Sequence, residues 1–332
     1  MLSEITLYKK RSCKLRLAGL LLPDNNIIMN VNKIQPPFLK PGDEVAIVSP
    51  SYFIDEVKLN ESVTHLEKWG LNVRIGRNAA KQSGPFAGSD EERLQDLQEM
   101  TDDADIKAVI CSRGGYGLLR IIDRIDFSAL KDTPKWYVGF SDITVLHMWL
   151  SEVCGIVSIH ADMPLNYNNA EKTTDTFSTL NQALYGGLNS IGWTGSSFRG
   201  CKAEGEMTGG NLSLFYSLIG TAADPDTGGK ILFLEDVGEY FYHIDRMLRS
   251  LKLAGKLSGL SALIIGGMND VNDTTTPWGK SIEETINDVV SEYDYPVFYN
   301  FPAGHIEDNR AFYIGKKAEI DLYGSELMLK FP

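Results

Sequence analysis

Residues 136–150 read WYVGFSDITVLHMWL: an aromatic and β-branched run, a Gly-Phe-Ser-Asp corner, then apolar residues at helical spacing. The first part reads as a buried strand and the last as a helix, so the polar Ser141–Asp142 pair sits where a strand turns sharply into a helix. The same unit recurs on the upstream side. EVAIVSPS (44–51) is a short buried-strand pattern ending at Ser-Pro, and KLNESVTHLEKWG (58–70) shows helical spacing with a Gly stop. NVRIGRNA (72–79) reads as a second strand, SDEERLQDLQEMTDD (89–103) as an acidic-capped helix, and IKAVICSRGGYG (106–117) as a strand running into a Gly-rich loop. Strands alternating with helices imply a parallel sheet with helices on both faces, and such sheets bind ligands in the crevice outside the strands' carboxyl ends. SRGGYG and GFSD both fall at such ends.

Downstream, residues 166–199 are rich in Asn, Thr, Ser and Gly around one helical pattern, and read as a connection. MTGGNLSLFYSLIGT (207–221), KILFLEDVGE (230–239), YHIDRMLRSLKLAGKL (242–257), LSALIIGGMND (260–270) and PVFYNFPAGHIED (296–308) then alternate again between helix and strand signals. The expected fold is α/β: an N-terminal doubly wound, mostly parallel sheet domain over 36–165, a linker over 166–204, and a smaller C-terminal α/β domain over 205–332. Residues 1–35 are expected to be an N-terminal extension. Within it, KKRSCKLRLAGLLLP (9–23) offers a basic stretch and then an apolar one, but the apolar core Leu17–Leu22 is short for a signal peptide and no small-residue cleavage site follows. Met29 is the expected start.

A length of 332 residues with 43% apolar content suffices for two cores, and the net charge of −12 argues against nucleic acid or an anionic membrane surface as a partner. No apolar run approaches the roughly 18 residues of a membrane helix. Cys13, Cys111, Cys154 and Cys201 show no CxxC spacing, so the pattern suggests neither a zinc site nor a disulfide framework, and a reducing, cytoplasmic compartment fits best.

Ser141 is the first candidate for chemistry. At a strand-to-helix corner its hydroxyl is presented sharply, and the Asp142 amide beside it lies at a helix start, where free N–H groups favour negative charge. Helix capping is the ordinary alternative for such a serine, although Thr144 stands where a capping box would want Glu or Gln. The match to the hydrolase elbow G-x-S-x-G is partial, since Ile143 replaces the second Gly. Of five histidines, His65 and His147 lie inside predicted helices and read as surface or packing residues, and His243 lies on a helical segment beside Asp245 and Arg246. His160 and His305 fall in predicted loops and are the candidate bases. A base needs an orienting carboxylate. Glu235 and Asp236 both emerge at the end of the strand Ile231–Leu234, and local pattern does not choose between them. SRGGYG lacks the G-x-G-x-x-G and Walker signatures, so its glycines are expected to bring backbone amides close to an oxyanion, and Arg113 to bind a substrate carboxylate or form a surface salt bridge.

Six separated motifs in order, PGDEVAIVSPS (41–51), SRGGYG (112–117), GFSDITVL (139–146), GEMTGGNLSLFYSLIGT (205–221), LEDVGE (234–239) with YHIDRMLRSLKLAGKL, and PAGHIEDN (302–309), resemble the LD-carboxypeptidase family, which also includes microcin C self-immunity peptidases. The resemblance runs from about Pro36 to the C-terminus. It implies a serine peptidase with nucleophile Ser141, carboxylate Glu235 and base His305, an oxyanion hole from the amides of Asp142 and Gly115, and substrate contacts from Arg113 and Tyr116, with no cofactor or metal. It further implies removal of terminal D-Ala from the murein tetrapeptide L-Ala-γ-D-Glu-meso-diaminopimelate-D-Ala in cytoplasmic cell-wall recycling; many members are dimers, which makes a homodimer the corresponding expectation. His160 matches a family position usually followed by Gly and Pro, whereas here Ala161 and Asp162 intervene. The alternatives are the family's peptidyl-nucleotide branch, for which Trp193 would be the aromatic platform, and a non-catalytic binding module.

Overall fold

The protein is described by a computed structural model covering residues 33–332; the expectations for the N-terminal extension up to Asn32 lie outside the described residues. The first sheet is built from β1 (Glu44–Val48), β2 (Asn72–Ile75), β3 (Ile106–Cys111), β4 (Trp136–Gly139) and β5 (Ser158–His160), all parallel, in the order 2-1-3-4-5. The apolar runs Val45–Val48 and Ala108–Cys111 are fully buried because helices cover both faces of a parallel sheet. Two of those helices are α1 (Glu56–Glu67), capped by the Asp55 carboxylate, and α2 (Asp90–Asp102), opened by a Ser89–Glu92 capping box. The strand order reverses between β1 and β3, and the loops after β1, β3 and β4 meet there: Tyr52 N–H donates to Gly114 O (3.2 Å) and Ser51 Oγ–H to Asp142 Oδ2 (2.6 Å).

The second sheet is mixed. Its centre is parallel, from β8 (Lys202–Asn211), β9 (Ile231–Val237), β10 (Ala262–Asn269) and β11 (Val297–Phe298). On the other side of β8 lies antiparallel β13 (Lys317–Tyr323), which in turn pairs antiparallel with β14 (Glu326–Lys330). The segment expected as a linker supplies α4 (Thr174–Tyr185) and also two strands, β6 (Ser190–Thr194) and β7 (Ser197–Phe198), which are the two edges of this sheet. Conversely, β12 (Phe312–Ile314), late in the chain, pairs antiparallel with β5 and closes the first sheet. The chain is interleaved between the sheets.

Their junction is close-packed. Helix α3 (Thr144–Trp149), which follows Ser141, lies against β8: Asn211 N–H donates to Thr144 Oγ1 (3.0 Å), and Gly210 faces Thr144. Beside it, Phe140, His160, Phe233, Phe301 and Phe312 form one buried aromatic cluster, with the Phe233–Phe312 rings 4.9 Å apart and His160 stacked 4.7 Å from Phe312. A Cβ at Gly210, whose φ is +148°, would stand 2.5 Å from Thr144 Oγ1 and 2.7 Å from its Cγ2. Gly210→Ala is therefore expected to destabilise the fold by ~1–3 kcal/mol through overpacking, measured as a lower urea midpoint at unchanged m-value.

Candidate active site

Gly139 ends β4, and the chain then turns so tightly that Ser141 adopts φ +63°, a left-handed conformation that costs a non-glycine residue about 1–3 kcal/mol. The strain is held from several sides. His147 Nε2–H donates to Gly139 O (2.8 Å), which can only accept, so Nδ1 accepts from the Ser158 hydroxyl (2.8 Å); burial lowers the pKa of this ring to about 4 and keeps it neutral. His147, expected as a surface or packing residue, is thus fully buried and braces the strand that presents the serine. The Gly-rich loop passes directly over Ser141: a Cβ at Gly114 would lie 2.8 Å from Ser141 Cβ and 3.0 Å from its Oγ. Only a glycine fits there.

His305 reaches the serine from the loop between β11 and β12. Its Nε2 stands 3.1 Å from Ser141 Oγ and its Nδ1 2.7 Å from Glu235 Oε2. A carboxylate only accepts, so Nδ1 carries the proton and Nε2 of the neutral ring is left free to accept from the Ser141 hydroxyl. Glu235 is fully buried, and its Oε2 also accepts from the His305 backbone N–H (3.1 Å). Gly304, at φ +110°, permits this approach, since a Cβ there would lie 2.6 Å from Oε2. Neighbouring Asp236 points to the other face of β9, where it accepts from Asn211 Nδ2 (2.9 Å), Ser213 N (3.0 Å) and Ser213 Oγ (2.9 Å). Of the two acids, the one that touches His305 is Glu235. Burial works against protonated His305, but the charge and hydrogen bond of Glu235, with Asp236 behind it, outweigh that and raise its pKa above the ordinary 6.5.

The Asp142 carboxylate, which sequence reading overlooked in favour of its amide, is fully buried and accepts from Ser51 Oγ and from Leu118 N–H (3.0 Å). It joins the loops after β1 and β3 to the turn that carries Ser141. Burial raises its pKa against these hydrogen bonds and the nearby charge of Arg93. The Asp142 and Gly115 amides donate to no backbone acceptor outside regular elements among the described residues. Arg113 donates from Nη1 to Phe53 O (3.0 Å), lies over Tyr52, and forms no ion pair among the described residues, so a surface salt bridge does not describe it. Tyr116, 43% exposed, lies at the end of the same loop beside Phe86.

Two other candidates are placed elsewhere. His160, expected in a loop, is the last residue of β5 and lies within the aromatic cluster behind Phe140, where burial pushes its pKa far down. Trp193 is buried in β6, donating to Tyr299 O (3.0 Å) and packed on Phe301, so it offers no open ring face. No group of metal-binding side chains occurs among the described residues, and no helix among them is long and apolar enough to cross a membrane.

The chain matches models of the LD-carboxypeptidase N-terminal domain over residues 45–161 and of the LD-carboxypeptidase C-terminal domain over residues 204–320. A probable murein peptide carboxypeptidase of Bacillus subtilis is 35% identical over 306 residues, which cover 86% of this chain and 91% of the relative. The crystal structure of muramoyltetrapeptide carboxypeptidase from Oxalobacter formigenes superposes with TM-score 0.78 at 28% identity, covering 87% of this chain and 98% of that one. The microcin C7 self-immunity protein in complex with aspartyl sulfamoyl adenosine superposes with TM-score 0.82 at 20% identity, covering 90% and 99%, a likeness of fold.

A direct check on the electrostatics is an NMR titration of His305, which is expected to have its midpoint above 6.5 in the unaltered protein. Glu235→Gln removes the principal raising charge and leaves the burial, so the midpoint should fall below 6.5.

Proposed function

The chain belongs to the LD-carboxypeptidase family, and from that premise we propose that it is a serine LD-carboxypeptidase with the triad Ser141, His305 and Glu235, releasing terminal D-Ala from murein tetrapeptide in cytoplasmic recycling. The observation that carries this reading is the unbroken relay from a strained serine hydroxyl through His305 to a fully buried carboxylate. A serine held at φ +63° with its hydroxyl on a histidine is a costly arrangement for mere helix capping, and a non-catalytic binding module has no need of it.

The chemistry follows from the tautomer. His305 Nε2 takes the Ser141 proton as Oγ attacks the carbonyl joining the L-centre of the third residue to D-Ala, and Glu235 stabilises the imidazolium so formed. The negative charge passes to the carbonyl oxygen, which the Asp142 and Gly115 amides receive. His305 then gives its proton to the departing D-Ala amine, leaving an acyl-enzyme on Ser141. A water molecule, deprotonated by His305, attacks that ester and frees the tripeptide acid and the serine. Nucleophile, base and oxyanion donors are all protein groups, and the relay requires no metal.

The substrate assignment draws on the murein peptide carboxypeptidase names of relatives and on Arg113, whose guanidinium, one residue from Gly114, is free to receive the terminal carboxylate of D-Ala. Tyr116 rims the same loop. For the peptidyl-nucleotide branch, the expected aromatic platform, Trp193, is inside the second sheet.

Purified protein in chelator should release free D-Ala from L-Ala-γ-D-Glu-meso-diaminopimelate-D-Ala, with Ser141→Ala slower by at least about 10⁴-fold by mass spectrometry. No release by the unaltered protein would sink the tetrapeptide assignment, and equal release by both would sink Ser141 as nucleophile. Arg113→Met should cost roughly 10–100-fold in kcat/KM, the worth of a hydrogen bond to a charged group, and should cost nothing further on a substrate ending in D-Ala amide.

A further inference from the structure

The loop that delivers His305, residues 301–311, is long and irregular, yet its base must stand at hydrogen-bonding distance from a serine on the other sheet. One end is tied to the second sheet: Phe301 N–H donates to Ile265 O (3.1 Å), and Asn269 Nδ2 donates to His305 O (2.7 Å). The other end enters β12 and hence the first sheet. The middle of the loop is held by the beginning of the segment that sequence reading treated as a linker. Thr173 Oγ1–H donates to Asp308 Oδ1 (2.8 Å), Thr176 Oγ1 accepts from Asn309 N (3.1 Å), and Thr179 Oγ1 accepts from Ala311 N (2.9 Å).

At the head of this row stands Lys172, whose side chain is 9% exposed. Its Nζ donates to Ile306 O (2.7 Å), the carbonyl directly after the base, and pairs at 2.9 Å with Asp162 Oδ2. Asp162 is fully buried just beyond β5, and its Oδ1 is held by Met163 N and Asn166 Nδ2 (2.8 Å each). It is also one of the two residues by which the sequence departs from the Gly-Pro pattern after His160. A buried carboxylate needs a partner, and the one it has here reaches across to the catalytic loop.

We infer that Lys172, anchored by Asp162, is a positioning residue that sets the distance between His305 and Ser141 by tying the base's loop to the sheet that carries the nucleophile. The inference rests on the Ser141–His305 reading above. The threonine row holds the loop from Glu307 to Ala311, and Asn269 holds the His305 carbonyl from the second sheet; Lys172 is the contact that ties the residue directly after His305 to the first sheet. A displacement of about 1 Å between reacting groups is enough to cost roughly 10²-fold in rate.

The test uses the full chain and the rate at which a fluorophosphonate labels Ser141, which reads nucleophile and base geometry without any peptide. Labelling of the unaltered protein, abolished in Ser141→Ala, tests the serine hydrolase reading by itself, whatever the peptide substrate. Lys172→Met should label about 10²-fold more slowly. Because it strands a buried carboxylate it will also lose stability, so the decisive variant is Asp162→Asn with Lys172→Met, which removes both charges. That double variant is expected to recover thermal stability but not labelling rate, with KM for any turned-over peptide within about twofold of the original. The charged and titratable groups around His305 are Glu235 and Asp236 from β9, Lys172, and His160 from β5. Loss of the Lys172 charge should therefore move the acid limb of labelling to higher pH in Lys172→Met. A double variant as stable as the unaltered protein that labels Ser141 at the unaltered rate would overturn the inference and leave Lys172 as a counter-charge for Asp162.

Discussion

The Glu235 carboxylate, sealed inside the protein with His305 as its partner, is the constraint on which the rest of this site depends. Removing a carboxylate from water is expensive unless charge and hydrogen bonds replace the lost solvation. Here the replacement is an imidazole N–H and a backbone N–H from one residue, so the acid specifies the tautomer, the ring orientation and the main-chain path of that residue at once. The free nitrogen is then aimed at Ser141, and the raised basicity of the ring follows from the same contact. Glycine at 304 is needed because the carboxylate comes so close and because the backbone there is left-handed, at φ +110°.

Such a contact can form only where two sheets meet. Ser141 belongs to the first sheet and Glu235 to the second, and the loop carrying His305 leaves the second to join the first as β12. The aromatic cluster around His160 and Phe233 fills the space behind His305, whose ring packs on Phe140. At the opposite end of β8 and β9, Lys33 and Lys230 are paired with Glu152 and Glu206 in a mostly buried group of balanced charge. The junction is thus apolar next to the chemistry and ionic at its far end, so that both ends resist separation.

Much of the first sheet was legible in the sequence because its strands are short, its central ones mostly apolar and followed by Gly or Ser, and its helices carry caps that act within a few residues. EVAIV and IKAVIC could hardly be anything but buried parallel strands. The second sheet was harder to read. Its edge strands β6 and β7 lie in a polar, Gly-rich stretch whose strand character comes from pairing with β14 and β11, far along the chain. Trp193 looked available for stacking for the same reason, since nothing local signals that a ring will be covered by Tyr299 and Phe301. His147 reads as an ordinary helix residue and His160 as a loop base because burial, which gives each its neutrality, is not a local property.

Local pattern in the amino-acid chain places the residue types at the carboxyl ends of strands: a serine at a strand-to-helix corner, two adjacent acids after an apolar run, and a histidine after Pro-Ala-Gly. Local patterns carry this because strand period and turn chemistry operate over a few residues. Which acid faces His305, the bracing of two loops by the Asp142 side chain, and the contact of a lysine in an apparent linker with the loop that carries His305 appear only once the chain is folded. Those are contacts between residues 24 to 134 positions apart, set by how two sheets close on each other rather than by any neighbouring residue.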